Sequence, residues 1–404
     1  MQYRIMPRSG DRVSALGLGC MRLPTDKKNH IDRPAAVRLV RRAIDAGINY
    51  LDTAFTYHDG ESEPLLGEAL ADGYRPRVKL ATKLPHWLVR EPGDVSKLLA
   101  KQLEKLRTDR IDYYLIHMLT ESRWKFLKQR GVIESLERAR REGRIGHIGF
   151  SCHAGRDEFK RLVDDYDWEF VQIQYNYLDT EQEAGREGLR HAAEKGLGVV
   201  VMEPLRGGKL AKTPPPHIQR IWDRAAEKRS PADWALRWVW NHPEVHVVLS
   251  GMTHESDLEE NLQTVESARP DALAADELAL FDEAAAAYRA AMKAGCTGCQ
   301  YCMPCPAGIN IPACLQTLDS YALFGGKAGH QFAYLFRAGG ILEERHTLAS
   351  ACTECGKCVK KCPQHLPVPE LLKEVHKTFE GFRARLTLRI SRIYFRLMRR
   401  RSIR

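Results

Sequence analysis

Cys352 to Pro363 reads CTECGKCVKKCP and Cys296 to Pro306 reads CTGCQYCMPCP, so eight of the eleven cysteines stand in two short runs. Each run offers three thiols at two-residue intervals and a fourth beside a proline. The later run is CxxCxxCxxxCP, the spacing with which bacterial chains hold [4Fe-4S] clusters, the fourth cysteine serving the other cluster. That rule gives Cys296, Cys299, Cys302 and Cys362 to one [4Fe-4S] cluster and Cys352, Cys355, Cys358 and Cys305 to a second. The earlier run departs from it, because only two residues separate Cys302 from Cys305, although Pro306 still follows. Structural zinc, which could use two CxxC pairs, is the competing reading of the same cysteines. Disulfides belong to secreted chains, and nothing here reads as secretory.

A second group of residues invites proton chemistry. Asp52 stands in LDTAFTY with Tyr57 five residues on, Lys83 stands in ATK, and His117 stands in YYLIH. Each follows or ends an apolar, β-branched run. A single Asp or His at a strand end usually caps a turn or satisfies a hydrogen bond. Four such groups on three neighbouring strands, at one rim, form a set that can move a proton.

The elements that must position them repeat strand and crossover helix. The strand-like runs are VSALGLG, INYLDTA, VKLATKL, IDYYLIHM, IGHIGFS, FVQIQYN, LGVVVMEPL and VHVVLSGM. Helical periodicity is expected at 34–46, 62–72, 95–107, 124–142, 156–166, 181–195, 230–241 and 255–266. This pattern predicts an α/β chain: a (β/α)8 TIM barrel with its site at the strand C-termini, then a smaller, mainly α-helical 4Fe-4S ferredoxin-like module and a basic amphipathic C-terminal helix. The leading MQYRIMPRSGDRV suits a hairpin at the barrel's N-terminal end. Residues 205–230 form a long connection whose triple proline predicts a stiff loop, a lid or an insertion. The expected domains are 1–270 for the barrel, 271–294 for a linker helix, 295–379 for the cluster module and 380–404 for the tail. No GxGxxG follows the first strand, which disfavours a doubly wound dinucleotide fold.

Over residues 1 to 265 the chain resembles the aldo-keto reductase family, on LDTAFTY, ATK and YYLIH in that order. The two cysteine runs resemble the dicluster ferredoxin modules fused to one branch of that family. The resemblance implies carbonyl reduction by hydride from NAD(H) or NADP(H), or alcohol oxidation. Tyr57 would be the proton donor, Lys83 the stabiliser of its anion, Asp52 the partner that keeps Lys83 charged, and His117 the group that orients the carbonyl. It also places Ser151 and Gln174 at the nicotinamide carboxamide, and Met21 where the first strand's loop meets cofactor and substrate. Leu205, Gly207 and Gly208 fall at the pyrophosphate, Glu260 and Asn261 at the adenine. His153, two residues past Ser151, reads equally well as a loop histidine. Three positions depart from the family. Met202 replaces the usual aromatic platform, Ser250-Gly251-Met252 stands where a lysine for the 2'-phosphate is expected, and Asp257 replaces its arginine partner. An aspartate there repels a 2'-phosphate and favours NADH over NADPH. No flavin signature is visible, and flavin sites on barrels carry no short motif.

The net charge of +10 lies mostly at one end, since residues 380–404 hold nine arginines and one glutamate. The nearly neutral body excludes a general nucleic-acid surface. Phe382, Leu386, Ile390, Ile393 and Leu397 follow helical spacing, with Arg385, Arg389, Arg392, Arg396 and Arg399 on another face. Such a helix suits an anionic membrane surface, an acidic partner or the protein's own body. With no signal peptide and no long apolar run, the expectation is a cytoplasmic protein, peripheral at the membrane where the tail binds it.

Hydride carries two electrons and a cluster one. The sequence therefore admits three arrangements: an oxidoreductase acting on a small carbonyl or alcohol substrate whose module exchanges electrons with a redox partner protein, an electron-carrier or docking subunit with the barrel as platform, and clusters that only hold the module together.

Overall fold

The fold is described from a computed structural model. It describes residues 1–404 apart from 29, 297, 299, 300, 340–346, 363, 383, 385, 387, 389, 390 and 392–404. Two compact units divide between Phe281 and Asp282.

In the first unit, β1 (Tyr3–Ile5) and β2 (Arg12–Ser14) pair antiparallel as the leading hairpin. Eight parallel strands then close a barrel: β3 (Leu16–Gly19), β4 (Tyr50–Asp52), β5 (Lys79–Leu84), β6 (Ile111–Ile116), β7 (Ile145–Ser151), β8 (Phe170–Gln174), β9 (Gly198–Met202) and β10 (Val247–Ser250). Each falls inside one of the apolar runs read from the sequence. Closure comes from β10 pairing with β3, Val248 opposite Leu16 and Ser250 opposite Leu18. Gly17 permits that closure, because a Cβ there would stand 2.7 Å from Val247 Cγ1 and 2.8 Å from Leu249 Cδ2.

Side chains alternate along each strand, so every second residue enters the barrel. Tyr50, Ala81, Tyr113, Phe170, Val200 and Val247 fill its lower interior together with Met6 and Val13 of the hairpin. The Tyr50 and Tyr113 rings lie 5.3 Å apart, and Phe170 meets Tyr113 edge-on at 5.0 Å. The N-terminal mouth is thereby plugged, which leaves the C-terminal rim as the open end.

The expected helix at 124–142 is two helices, Glu121–Lys128 and Val132–Arg141. Gly131 separates them at φ 63°, a left-handed conformation that no helix interior tolerates and glycine adopts freely. The connection 205–230 is not all loop either: it contains the helix Pro216–Trp222. The triple proline ends at the first helical position, where a missing N–H costs nothing.

Helix Ala275–Ala290 spans the division between the units. Its first half is anchored to the barrel by Phe281, whose ring lies 5.0 Å from Trp222, 5.5 Å from Tyr177 and 5.6 Å from Trp234. The aromatic cluster explains why the first unit reaches past residue 270.

The second unit is helical among its described residues: Ile311–Phe324, Lys327–Ala338, Lys357–Lys361 and Val368–Phe379. Leu315, Leu318, Tyr334, Leu372, Val375 and Phe379 are buried in its core. The break between the first two helices falls at Gly325 and Gly326, both at positive φ. Most of the predicted tail helix lies outside the described residues, including Arg385, Arg389, Ile390, Arg392, Ile393, Arg396, Leu397 and Arg399. No helix among the described residues is long and apolar enough to cross a membrane.

Candidate active site and cluster ligands

Asp52 ends β4, Lys83 sits near the end of β5, and His117 follows β6. Tyr57 comes from the turn after β4. There His58 and Asp59 both adopt positive φ, 50° and 56°, which costs non-glycine residues and has to be held by neighbours. His58 is held, since its Nε2 accepts the Leu23 N–H at 3.1 Å.

The turn brings Tyr57 to Lys83. Lys83 is 1% exposed, and its ammonium donates to Asp52 Oδ1 at 2.6 Å, to the Thr53 carbonyl at 2.7 Å and to Tyr57 Oη at 3.3 Å. A buried ammonium survives only when its charge and its donors are matched, and here all three donors are engaged. Burial alone would pull the Lys83 pKa down, but Asp52 and Tyr57 raise it above its ordinary value. Burial raises Asp52, with Lys83 opposing. For Tyr57 burial also prevails: the phenol is pushed above its ordinary value although Lys83 pulls it down. The pull of Lys83 is legible in the sequence, and the larger opposing push of burial is not.

His117 packs 6.1 Å from the Tyr57 ring and 5.4 Å from Trp87, centroid to centroid. Burial, reinforced by the nearby Lys83 charge, holds its pKa well below the ordinary value. The neutral imidazole is thereby favoured, and its Nδ1 has no hydrogen-bond partner among the described residues. Behind β5, buried Glu63 accepts from Thr82 Oγ1 at 2.8 Å and Gln102 Nε2 at 2.6 Å, and that same amide donates to the Lys83 carbonyl at 3.1 Å. This support was not visible in the sequence, because neither residue belongs to a local pattern.

The residues expected around a nicotinamide separate into open and engaged groups. Ser151 Oγ accepts the Met118 N–H at 3.0 Å. Gln174 donates to Asp179 at 3.1 Å and keeps a buried Oε1 without a partner among the described residues. Gln172, two residues earlier on the same inward face of β8, also keeps its Oε1 without a partner among the described residues, with its Nε2 3.6 Å from Met202 Sδ. Gln172 is a further candidate at this site, and the sequence signal for it is the period-two alternation that puts it beside Gln174. Asp179 also accepts from Asn176 at 3.1 Å and from Arg206 Nε at 3.0 Å, a buried pair that fastens the loop after β9 to the loop after β8.

Arg206, Gly207 and Gly208, which follow Leu205, all have positive φ, so these glycines are required by the hand of the backbone. Arg22 lies close by: its Nη2 is 3.4 Å from where a Cβ at Gly207 would stand, and its Cδ 3.2 Å from one at Gly251. Met21 beside it is 60% exposed. At the other end Glu260 accepts from Ser230, and Asn261 donates to Ser250 Oγ at 3.0 Å. Asp257 accepts the N–H groups of Thr253 at 3.1 Å and His254 at 3.0 Å, at the start of helix Glu255–Val265. His153 pairs with Glu183 at 3.0 Å across the loops after β7 and β8.

In the second unit, Cys302, Cys305, Cys352, Cys355 and Cys358 line one cavity, closed by Ile311, Pro369 and Leu372. These thiols ring a space, and among the described residues no three His, Cys, Asp or Glu side chains converge as on a single ion. Cys305, set apart by its irregular spacing, faces the later run there. Tight left-handed turns shape the runs, at Gly298 with φ 71°, Glu354 with φ 55° and Gly356 with φ 68°. The Glu354 N–H points at Cys352 Sγ from 3.4 Å. Cys296 and Cys362 are half-buried, and Cys299 lies outside the described residues. Buried Asp319 accepts the N–H groups of Ala294 at 2.6 Å, Gly295 at 3.3 Å and Cys296 at 3.3 Å, and so fixes the entry to the earlier run. Nothing in the sequence around Asp319 announces this.

The aldo/keto reductase family model matches residues 15–286, and a 4Fe-4S dicluster domain model matches 295–366. The chain is 32% identical over 232 residues to the uncharacterized oxidoreductase YrpG of Bacillus subtilis, covering 52% of this chain and 68% of that protein. It is 28% identical to the uncharacterized oxidoreductase YqkF of the same organism, covering 67% and 92%. The aldo-keto reductase AKR11C1 from Bacillus halodurans, in its holo form, is similar in structure with a TM-score of 0.59 and 26% identity, over 70% of this chain and 96% of that one.

Proposed function

This chain belongs to the aldo/keto reductase family and carries a 4Fe-4S dicluster domain after its barrel, and on that footing we propose that Tyr57 is the general acid of a carbonyl reduction set up by Lys83, Asp52 and His117. A nicotinamide supplies the hydride when bound. The observation that carries the reading is the Lys83 ammonium, sealed from water and shared between Asp52 and the Tyr57 hydroxyl.

As hydride reaches a carbonyl carbon, its oxygen becomes an alkoxide, a stronger base than a phenolate. Tyr57, kept neutral by burial, holds its proton until that base appears and then transfers it from Oη. Lys83 stabilises the phenolate left behind, and Asp52 keeps the lysine charged and aimed. Neutral His117 offers the oxygen a hydrogen bond without adding a cation beside Lys83. The cofactor's carboxamide would meet Ser151 and the open glutamine oxygens of Gln172 and Gln174. Its pyrophosphate would meet the loop of Leu205, Gly207 and Gly208, with the Arg22 charge at hand, and its adenine the end bearing Glu260 and Asn261. Asp257 stands at the position expected for the arginine partner of a 2'-phosphate, is held there by the Thr253 and His254 N–H groups, and its charge would repel such a phosphate, which supports NADH as the preferred donor. A higher kcat/KM with NADPH than with NADH would overturn that preference.

The test of the acid is Tyr57→Phe in the full chain, with 4-nitrobenzaldehyde as a general carbonyl probe. Nicotinamide binding, followed by fluorescence, should be retained while kcat falls by about 10²- to 10⁴-fold. Turnover within threefold of the native rate would refute the assignment.

In the module, Cys352, Cys355, Cys358 and Cys305 suit one cluster, on the cavity they line, and Cys296, Cys299, Cys302 and Cys362 the other. Iron–sulfur clusters supply one-electron transfer when assembled there. The tail supports a membrane reading. Ala384 and Leu388 are buried against the module core, whereas Phe382 is 79% and Leu386 50% exposed. Apolar side chains left in water on an arginine-rich segment fit an anionic bilayer surface. Flotation with phosphatidylglycerol vesicles and not with phosphatidylcholine vesicles is the expected result, lost on deleting residues 380–404. Equal flotation with both lipids, or with the deletion, would remove the proposal.

A further inference from the structure

The two cysteine runs differ in what surrounds them. The earlier run, from Cys296 to Pro306, contains no charged residue. The later one carries Lys357, Lys360 and Lys361 among its cysteines, all three exposed. Cys355 at the tip of its turn is exposed as well. The one carboxylate inside this run, Glu354, is taken by Lys373 at 2.7 Å. No ion pair from a described residue reaches Lys357, Lys360 or Lys361. Elsewhere the chain pairs its cations freely with neighbouring carboxylates, as Arg33 does with Glu68 at 2.6 Å and Arg161 with Glu121 at 2.9 Å.

We propose that this face, exposed Cys355 followed by the helix that carries Lys357, Lys360 and Lys361, is where the module docks an acidic one-electron carrier protein. The inference rests on the reading that Cys352, Cys355, Cys358 and Cys305 hold a cluster. Electron transfer needs close approach, and an exposed ligand thiolate is the point at which a partner's redox group comes nearest. Lysines near that point, with no ion pair among the described residues, create a positive field that draws an acidic partner, orients it and lets it leave, while excluding basic ones. The transfer moves one electron between cluster and carrier, so that one is oxidised as the other is reduced, with no bond or proton exchanged.

The test uses one acceptor with two charges. Cytochrome c is basic, and succinylation of its lysines makes it acidic while leaving its haem in place. Full-length chain, with clusters assembled and reduced by dithionite under anaerobic conditions and freed of excess reductant, is mixed with each form by stopped flow. At about 20 mM salt the succinylated form should be reduced about tenfold faster than the native form, and the difference should vanish near 300 mM. Oxidised chain should bind the succinylated protein with the same salt dependence in isothermal titration. The triple variant Lys357→Gln, Lys360→Gln, Lys361→Gln should lose the preference and the binding, with iron content and the paramagnetic resonance signal of the reduced clusters unchanged. A variant with Arg399, Arg400 and Arg401 changed to Gln loses as much charge from the tail, and should keep the preference. Preference for native cytochrome c, a triple variant that still prefers the acidic form, or equal loss in the tail variant would overturn the docking face while leaving the clusters standing. A chain that assembles no iron and sulfide would overturn the cluster reading and the docking face with it.

Discussion

Removing the Lys83 charge tests the electrostatics of the site most directly. At 3.3 Å from Tyr57 Oη, a full phenolate would be stabilised by about 5 kcal/mol at an effective dielectric of ~20. Only part of that charge exists in the transition state, and Asp52, 2.6 Å from the same ammonium, offsets some of the attraction. About 2–3 kcal/mol should reach the barrier, or about 30- to 160-fold in kcat/KM for Lys83→Met. That variant leaves Asp52 buried without its partner, at a stability cost of about 3–5 kcal/mol, reduced by whatever proton the carboxyl takes up. Asp52→Asn with Lys83→Met removes both charges and should regain most of the stability while recovering little activity. The assay is kcat/KM with 4-nitrobenzaldehyde for both variants, beside urea unfolding and nicotinamide binding. If both variants fold, bind nicotinamide and keep kcat/KM within threefold of native, stabilisation of the phenolate by Lys83 is refuted.

Two further outcomes follow from individual side chains. His246 is half-buried with its Nδ1 accepting the Val199 N–H at 3.1 Å, and burial lowers its pKa to about 4. The unfolded chain, with the ordinary value near 6.5, takes up the proton first as pH falls, so stability is present above about 6.5 and lost progressively down to about 4. Between pH 7 and pH 5 this residue should account for about 2 kcal/mol, and His246→Gln should flatten urea-unfolding stability over that range by the same amount. In the module, Cys305→Ser should remove about half of the bound iron, whereas Cys314→Ser should remove none, because Cys314 is buried in the apolar core and is not among the residues that line the cavity. Iron and sulfide analysis after anaerobic reconstitution decides between them.

How much of this was legible in the sequence depends on what held each feature in place. The eight barrel strands were readable because each is an apolar run bounded by polar, helical sequence, and their order fixed the rim on which Asp52, Lys83 and His117 meet. The dicluster domain was readable because a cluster imposes a cysteine spacing on a short stretch of chain. Where a single residue overrode a periodic pattern, the reading failed locally: Gly131 cuts a helix that its neighbours would have continued, and Pro216 starts one where three prolines suggested only loop.

The buried partners were illegible for a different reason. Glu63 supports Lys83 through Gln102, Asp179 joins Gln174 to Arg206, and Asp319 gathers three successive amides before Cys296. In sequence each is one more carboxylate among the 52 acidic residues, in a chain whose acidic side chains mostly stay in water. Their role arises only when folding strips them of water, since a buried carboxylate must then find donors or lose its charge. That requirement makes them constraints as well as supports. Asp179 cannot change without leaving the Arg206 cation and the Gln174 amide short of an acceptor, and Asp319 cannot change without freeing the backbone that presents Cys296. The groups proposed to react are set by local motif, but the backbone that carries them is held by distant carboxylates such as Glu63, which reaches the Lys83 carbonyl through Gln102.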